Sequence, residues 1–297
     1  MNKSRIVISV FSILYYILFL YLYLQDIMDE FLFLFILFIS FIIFLIMFVV
    51  FRKKRVTKRK IAIATCIFLL LLCYEMPLIG YYTAPSHLAY TYLEPHEALQ
   101  GSGIYSIGVN QLNIENEKSK QAVKKLLTKQ NVDVLSVIEV NNKTIYGIKN
   151  RQILEWLHLR NEHSPEETME NVAQYLGRED DWLKTFFNHP DIGGDSSGLS
   201  LALSGRIKEG DLTNKLPIAV TGAINKNGAV LEVGVIKEKI QITEKSGIPL
   251  LIIPNENVRE AIGIQKELKA NVEIYGVSSV DEAVQLIKDL NTDGGVY

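Results

Sequence analysis

The segment VTGAINKNGAVLEVGVIKEKIQITEKSGIPLLIIP, residues 220–254, decides the fold expected for the carboxy-terminal part of the chain. It starts inside an apolar run, 217–224, that is typical of a strand, and the Asn227-Gly228 pair that follows predicts a tight turn. Apolar residues at helical spacing then predict a helix over 236–245. The uninterrupted apolar run 248–254 predicts a buried strand. This succession of strand, helix and strand indicates an α/β domain.

The same alternation extends outward on both sides of this segment. Ser164 before Pro165 is a strong helix start, because the serine can cap the first turn and proline fits the first helical position. The sequence GGDSSGLSLAL (193–203) reads as a turn that enters a helix. The other predicted elements are strands over 104–114, 132–140 and 271–277, and helices over 116–129, 256–268 and 279–290.

One lysine occupies an unusual place on the predicted helix 236–245. Ile236 and Ile240 mark its apolar stripe, and Lys239 falls between them at helical spacing, so its side chain is expected to point with the core. Burial disfavours the charged form of a lysine, which can then act as a general base near neutral pH. The alternative is that the long side chain carries its amine out to solvent.

The glycine-rich turn GGDSSG (193–198) offers a candidate nucleophile in Ser196. Glycines let a backbone approach a ligand closely, and free N–H groups in a first helical turn can stabilise an oxyanion. The alternative is that Ser196 merely caps the helix. A nucleophilic serine also needs a base, which could be Lys239 or a histidine, of which His189 is the nearest in sequence.

Taken together, these two segments resemble the proteolytic domain of Lon proteases. That family carries D-G-P-S-A-G or G-G-P-S-A-G around its serine, and then T-G, a glycine-containing turn and a helix with a lysine. GGDSSG and VTGAINKNGAVLEVGVIKEKI follow this order, and the resemblance covers roughly 190–291. It implies a mixed α+β/α/β fold of the Lon proteolytic type.

The resemblance also implies roles for particular residues. It makes Ser196 the nucleophile and Lys239 its base in a Ser–Lys dyad, with Thr221 helping to orient the lysine. The residues that would support the nucleophile are Gly194, Asp195 and Ser197. The family further implies a homo-oligomer, such as a hexameric ring, and no cofactor or metal ion.

Three residues depart from the family pattern. Asp195 replaces a proline and places a negative charge beside the nucleophile, and Ser197 replaces an alanine and is a rival nucleophile. Val235 replaces a glycine before the lysine helix. These departures leave open an alternative in which the chain is an inactive pseudopeptidase that binds peptides or a membrane partner.

The first eighty residues predict a bundle of transmembrane helices. The apolar runs 6–24 and 31–51 are each long enough to cross a bilayer, and a third run is expected to span within 61–82. The stretch RKKRVTKRK (52–60) carries seven basic residues, which favours a cytoplasmic loop between the second and third spans. The prediction is therefore a multi-pass protein of the cell membrane with residues 83–297 outside the cytoplasm. The alternative is two spans and a cytoplasmic domain, with 61–82 lying in the interface.

The predicted organisation is a transmembrane region (1–82), an irregular linker with two prolines (83–102), an α/β region of unknown role (103–187) and the Lon-like domain (188–297). After residue 82, 22 of the 31 basic and 29 of the 33 acidic residues remain, so this part is acidic and is not expected to bind nucleic acid. The chain shows no GxxxxGK[ST] phosphate loop, so ATP is not an expected partner. The expected partners are a protein or peptide substrate and the lipid bilayer.

Overall fold

A computed structural model describes residues 3–81, 85–115, 117, 119–157, 164–178, 180–187 and 195–292 of the chain. The chain forms two compact units. The first comprises residues 1–88, 113–120 and 138–160, and the second comprises residues 89–112, 121–137 and 161–297.

The described part of the chain begins with helices and continues as a mixture of strands and helices. The α-helices are α1 (Lys3–Leu24), α2 (Glu30–Val50), α3 (Arg55–Glu75), α4 (Lys120–Lys129), α5 (Asn142–Trp156), α6 (Pro165–Leu176), α7 (Asp181–Phe187), α8 (Gly198–Glu209), α9 (Ile236–Lys245), α10 (Val258–Leu268) and α11 (Val280–Thr292). Short 3₁₀ turns lie at Phe51–Lys53, Met76–Tyr81 and Asn255–Asn257. The strands are β1 (His87–Thr91), β2 (His96–Glu97), β3 (Ile104–Ser106), β4 (Asn110–Ile114), β5 (Val134–Glu139), β6 (Ile218–Val220), β7 (Ala223–Ile224), β8 (Val230–Leu231), β9 (Leu250–Pro254) and β10 (Glu273–Val277).

Three apolar helices, α1 to α3, begin the first unit and pack around aromatic side chains. Tyr23 and Phe33 stack with their ring centroids 5.2 Å apart, and both are fully buried. The side chain of Asp29 accepts a hydrogen bond from the Leu32 N–H at 2.8 Å, which caps the first turn of α2. The chain therefore reverses between α1 and α2 through a defined cap.

Two of these helices have the length and composition needed to cross a membrane. They are Glu30–Lys53 and Thr57–Tyr81, and a shorter apolar helix covers Ile8–Leu24. Only 22% of the first apolar stretch and 28% of the second are buried within the protein, so most of their apolar side chains face outward. An exposed apolar surface of this size marks a site of contact with a membrane or a partner.

Helix α5 lies across one end of the three apolar helices. The Asn142 side-chain amide at its start donates to the Tyr23 carbonyl at 2.8 Å and to the Met28 carbonyl at 2.9 Å. Nearer its carboxy-terminal end, the Tyr81 hydroxyl donates to the side chain of Gln152. These contacts lie where α1 ends, α2 begins and the turn after α3 ends, so α5 occupies the end of the bundle opposite the basic run 52–60.

A buried ion pair joins α5 to α3. Lys149 Nζ lies 2.5 Å from Glu75 Oε2, and both side chains are inaccessible to solvent. The other carboxylate oxygen, Glu75 Oε1, accepts hydrogen bonds from the hydroxyls of Tyr16 at 2.6 Å and Tyr146 at 3.0 Å. Because each charge has a hydrogen-bonded partner, the pair can persist away from water.

The buried ion pair is expected to affect the free energy of unfolding. Replacing Lys149 by Met should lower the free energy of unfolding by about 3–5 kcal/mol, because the Glu75 carboxylate would remain buried without its counter-charge. The measurement is denaturant unfolding of the full chain in detergent micelles. The double variant Glu75→Leu/Lys149→Met is the control, since it buries no charge and should recover most of the loss. Equal stability of the single and double variants would contradict the prediction.

The second unit is built on a five-stranded sheet with the strand order β10-β9-β6-β3-β2. Its strands are parallel except for β2, which pairs antiparallel with β3. Alternate strand residues pack into opposite cores, because successive side chains of a strand point to opposite faces. Val220 and Ile252 pack with α6, α8 and α11, whereas Ala219 and Leu251 pack with α9 and α10. Helices therefore cover both faces of the sheet, as a buried parallel sheet requires.

A short hairpin and a second sheet complete the described strands. β7 and β8 pair antiparallel through the turn at Asn227-Gly228, where Gly228 adopts φ +77°. The turn predicted at these two residues is thereby confirmed. β4, β1 and β5 form a three-stranded sheet in that order.

The structure corrects the reading of 83–102 as an irregular linker, because this stretch contains β1 and β2. β1 alternates buried and half-buried residues, and Pro85 and Pro95 lie outside both strands, so the prolines flank strands and do not interrupt them. β2 and β3 also join the sheet of β6, although they precede the predicted start of the Lon-like domain at residue 188. Pairing between strands distant in sequence cannot be read from local alternation, which explains the difference.

Candidate functional site

The serine-bearing turn is fixed against the end of strand β6. The Gly198 N–H donates to the Asp195 carbonyl at 3.1 Å and closes the turn over Ser196 and Ser197. The Gly222 N–H donates to the Ser196 carbonyl at 2.8 Å. Because these bonds involve backbone groups, the position of the Ser196 backbone is set by the sheet.

Two glycines allow the turn and the strand end to approach this closely. A Cβ atom on Gly198 would lie 3.1 Å from the Ile224 nitrogen, and one on Gly222 would lie 3.2 Å from the Val230 side chain. Both distances are shorter than ordinary van der Waals contact. A side chain at either position would therefore push its neighbours apart by a few tenths of an ångström, so packing at this contact favours glycine.

Lys239 reaches the same place from helix α9. Its side chain is buried, with 4% of the residue exposed, and its Nζ donates a hydrogen bond to Thr221 Oγ1 at 2.8 Å. Thr221 Oγ1 in turn donates to the Ser196 carbonyl at 3.3 Å. A chain of two hydrogen bonds thus joins the lysine amine, the threonine hydroxyl and the backbone of the serine.

The surroundings of Lys239 favour its neutral form. Burial lowers the pKa of the Lys239 amine to about 7, and the negative charge of Asp195 acts in the opposite direction by favouring the protonated amine. The hydrogen-bond acceptor at 2.8 Å is a neutral hydroxyl, which does not stabilise a positive charge as a carboxylate would. The amine can therefore accept a proton near neutral pH.

The structure distinguishes the two adjacent serines. Ser197 is the N-cap residue of α8, but its helical backbone angles (φ −87°, ψ −8°) leave its side chain without a capping hydrogen bond. Its hydroxyl is buried and makes no hydrogen bond with any residue that the structure describes. Ser196 is half-buried and does not cap α8. The capping interpretation of Ser196 is therefore wrong.

Asn257 supports the site and was not identified from the sequence. Its side-chain oxygen accepts from the Val233 N–H at 2.9 Å, and its side-chain amide donates to the Val233 carbonyl at 3.1 Å. This pair of bonds holds the segment that leads into the lysine helix. In the sequence Asn257 would be taken for a cap of α10, yet its side chain makes no capping bond there.

Parts of the predicted site lie outside the described residues. Gly194 and His189 fall in the segment 188–194, so neither the glycine before the turn nor the alternative histidine base is placed. Within the described ranges, no three His, Cys, Asp or Glu side chains gather closely enough to hold a metal ion.

The lysine helix begins at a strained residue. Val235 adopts φ +61° and ψ +36°, the left-handed region, and its carbonyl accepts the Lys239 N–H at 3.1 Å in the first turn of α9. A β-branched residue is a clear outlier in this region, where its side chain crowds the backbone. The strain therefore lies at the point from which the lysine is positioned.

These observations define an α/β domain in which a buried lysine and a serine-bearing turn meet at the end of a parallel strand. Residues 191–288 match the model of the Lon protease (S16) C-terminal proteolytic domain. This segment is thus similar to Lon-type proteolytic domains, which confirms the resemblance inferred from its motifs.

Curated Lon proteases from several organisms are similar to the same region. The Lon protease of Rickettsia typhi is 37% identical over 78 residues, which make up 25% of this chain and 10% of that protein. The Lon protease of Lawsonia intracellularis is 37% identical over 99 residues, or 31% of this chain and 11% of that protein. The archaeal Lon protease of Methanocaldococcus jannaschii is 29% identical over 120 residues, or 40% of this chain and 18% of that protein. The chain thus spans less than a fifth of the length of these relatives.

Relief of the backbone strain at Val235 is expected to stabilise the protein. Val235→Gly should raise the free energy of unfolding by roughly 1 kcal/mol, because relief of the left-handed strain exceeds the added backbone entropy of glycine. Val233→Gly is the matched control, since Val233 lies two residues earlier without a positive φ and should lose stability. The measurement is denaturant unfolding of the full-length variants. A loss of stability in both variants would contradict this account.

Proposed function

We propose that the chain is a membrane-anchored Lon-like serine endopeptidase that uses a Ser196–Lys239 dyad and needs no ATP for the chemical step. The observation that carries this proposal is the buried Lys239 amine, held by Thr221 within two hydrogen bonds of the Ser196 backbone. The match of residues 191–288 to a Lon proteolytic domain supports the same roles.

In the proposed reaction, neutral Lys239 accepts the proton of the Ser196 hydroxyl while the serine oxygen attacks the scissile carbonyl carbon. The resulting tetrahedral intermediate collapses as the C–N bond breaks, and the protonated lysine returns its proton to the leaving amine. Lys239 then accepts a proton from a water molecule as the water oxygen attacks the acyl carbon, and the new tetrahedral intermediate collapses with breakage of the ester C–O bond. The protonated lysine returns this proton to the Ser196 oxygen, and the carboxylic acid product leaves. Thr221 acts as a positioning residue, because it fixes the direction of the lysine amine.

The hydrogen bonds of the turn limit which N–H groups can stabilise the oxyanion. Those of Gly198 and Leu199 already donate to the carbonyls of Asp195 and Gly222. The proposal therefore assigns oxyanion stabilisation to N–H groups at 195–197, ahead of α8. The negative charge of Asp195 opposes an oxyanion nearby, so the expected turnover is slow.

Membrane anchoring is proposed from the first unit. α2 and α3 carry long apolar surfaces of which less than a third is buried, and the basic run 52–60 joins them at one end. Basic loops favour the cytoplasmic side, which places the opposite end and α5 outside the cytoplasm. Such an anchor suits unfolded or membrane-proximal protein substrates.

A second candidate function is binding without cleavage. The charge of Asp195 and the strained backbone of Val235 both depart from what a fast Ser–Lys hydrolase requires. In this candidate the site holds a peptide or a membrane partner, and the serine does not turn over.

The dyad predicts a sharp difference between neighbouring serines. Ser196→Ala and Lys239→Ala in the full chain should each abolish cleavage of an unstructured protein substrate, because each removes the nucleophile or its base. Ser197→Ala is the matched control and should cleave as wild type does, since it removes a buried hydroxyl that has no hydrogen bond in the described structure. Products would be identified by mass spectrometry. Loss of cleavage in Ser197→Ala alone would overturn the assignment, and absence of cleavage in every form would favour the binding function.

The protonation of Lys239 predicts the pH dependence of cleavage. Only the neutral amine accepts a proton, so kcat/KM should rise as pH increases through about 7, the lowered pKa of Lys239, and then level off. Asp195→Asn removes a charge that raises this pKa, so the rise should move to lower pH. Steady-state rates between pH 5 and 9, a span of roughly two units either side of that pKa, provide the measurement. A profile that stays unchanged in Asp195→Asn would contradict the electrostatic role of that residue.

A further inference from the structure

One face of α5 packs on the apolar helices at its start and is exposed at its end. Tyr146, Lys149, Ile153 and Trp156 recur at intervals of three, four and three residues, which places them on a single stripe of the helix. Lys149 is 1% exposed, whereas Trp156 is 83% exposed. The same stripe that contacts the bundle therefore continues beyond its edge.

The direction of this stripe is fixed by hydrogen bonds at its buried end. Tyr146 and Lys149 both bond to the carboxylate of Glu75, at the carboxy-terminal end of α3. The side chains of Asn150 and Gln152 accept from the hydroxyls of Tyr74 and Tyr81 on the same part of the chain. Because the helix cannot rotate about its axis without breaking these bonds, the side of α5 that carries Trp156 is fixed relative to the three apolar helices.

The exposed end of α5 is an apolar surface. Leu157 directly follows Trp156 and is 54% exposed, whereas Leu154, which is 40% exposed, lies two residues before Trp156 on another side of the helix. The nearest turn of the bundle exposes further apolar residues, with Met76 at 48% and Ile79 at 43%. Met76 and Ile79 belong to the apolar stretch Thr57–Tyr81, whose outward-facing sides a bilayer would cover.

We propose that the carboxy-terminal end of α5 is an interfacial membrane contact, with Trp156 and Leu157 at the boundary between lipid head groups and acyl chains. This inference rests on the membrane anchoring proposed above. Tryptophan is suited to that depth, since its ring is apolar and its indole N–H can bond to head groups or water. The exposed Arg151, on the opposite side of the helix by spacing, faces the aqueous side. In this proposal α5 itself lies at the bilayer surface.

The experiment uses the two tryptophans of the chain. Trp182→Phe leaves Trp156 as the single tryptophan, and the full-length variant is reconstituted into phosphatidylcholine vesicles whose acyl chains are brominated at shallow or at deep positions. Shallow bromines are expected to quench Trp156 several-fold more than deep bromines do. Trp156→Phe, which retains Trp182 in α7, is the control and is expected to show little quenching by either lipid.

Other outcomes distinguish the inference from the anchoring on which it rests. Water-like emission of Trp156 without quenching, in protein that resists alkaline carbonate extraction, would overturn the interfacial contact and leave the anchor intact. Release of the protein by carbonate would overturn the anchor itself. Trp156 emission that becomes less water-like as the protein-to-lipid ratio increases, without bromine quenching, would show that a second copy of the chain covers the surface. This result would also overturn the proposal. If Trp182→Phe fails to fold, the quenching of Trp156 is obtained by subtracting the quenching measured for Trp156→Phe from that measured for the wild type.

Discussion

The hydrogen bonds of Thr221 connect the two halves of the candidate site. Thr221 lies directly after β6, a strand with hydrogen-bonded neighbours on both sides, so its position is set by the interior of the sheet. The hydroxyl accepts from Lys239 Nζ and donates to the Ser196 carbonyl, and thus brings α9 and the turn before α8 to one point. Gly222 is fixed beside it by bonds in both directions with that turn. Every other feature of the site, from the buried lysine to the close glycine contacts, depends on this strand end.

Holding the lysine in this way has two costs that the domain must offset. The amine leaves water without a carboxylate partner, and the Val235 backbone at the helix start adopts a conformation that side chains disfavour. Asn257 and the buried faces of α9 and α10 supply compensation, because they fix the segment on either side of Val235 by bonding and packing. Backbone strain at Val235 and desolvation of Lys239 thus occur within one turn of α9, and such costs are expected at a functional site.

The local spacing of apolar residues in the sequence predicted many helices and strands of the second unit and part of the candidate site. Helix 236–245 occurs at the predicted residues, and Lys239 is buried as its place between Ile236 and Ile240 indicated. The pattern failed where the structure depends on distant partners. β2 and β3 join a sheet whose other strands begin more than a hundred residues later, and α5 was missed because its stripe includes Lys149, which is buried only through Glu75. Asn257 was missed for the same reason, since its bonds are to Val233 and not to its own helix.

The ion pair between Glu75 and Lys149 has a consequence for the order in which the protein is made. The two residues are 74 positions apart, so α3 leaves the ribosome well before its counter-charge has been synthesised. A helix that enters a bilayer with an unpaired carboxylate near its end does so at a free-energy cost, and the cost is removed only when α5 arrives. In the membrane-anchored protein proposed above, the ion pair could form only after the chain has passed residue 149. In that proposal, assembly of the anchor would precede synthesis of most of the segment 191–288.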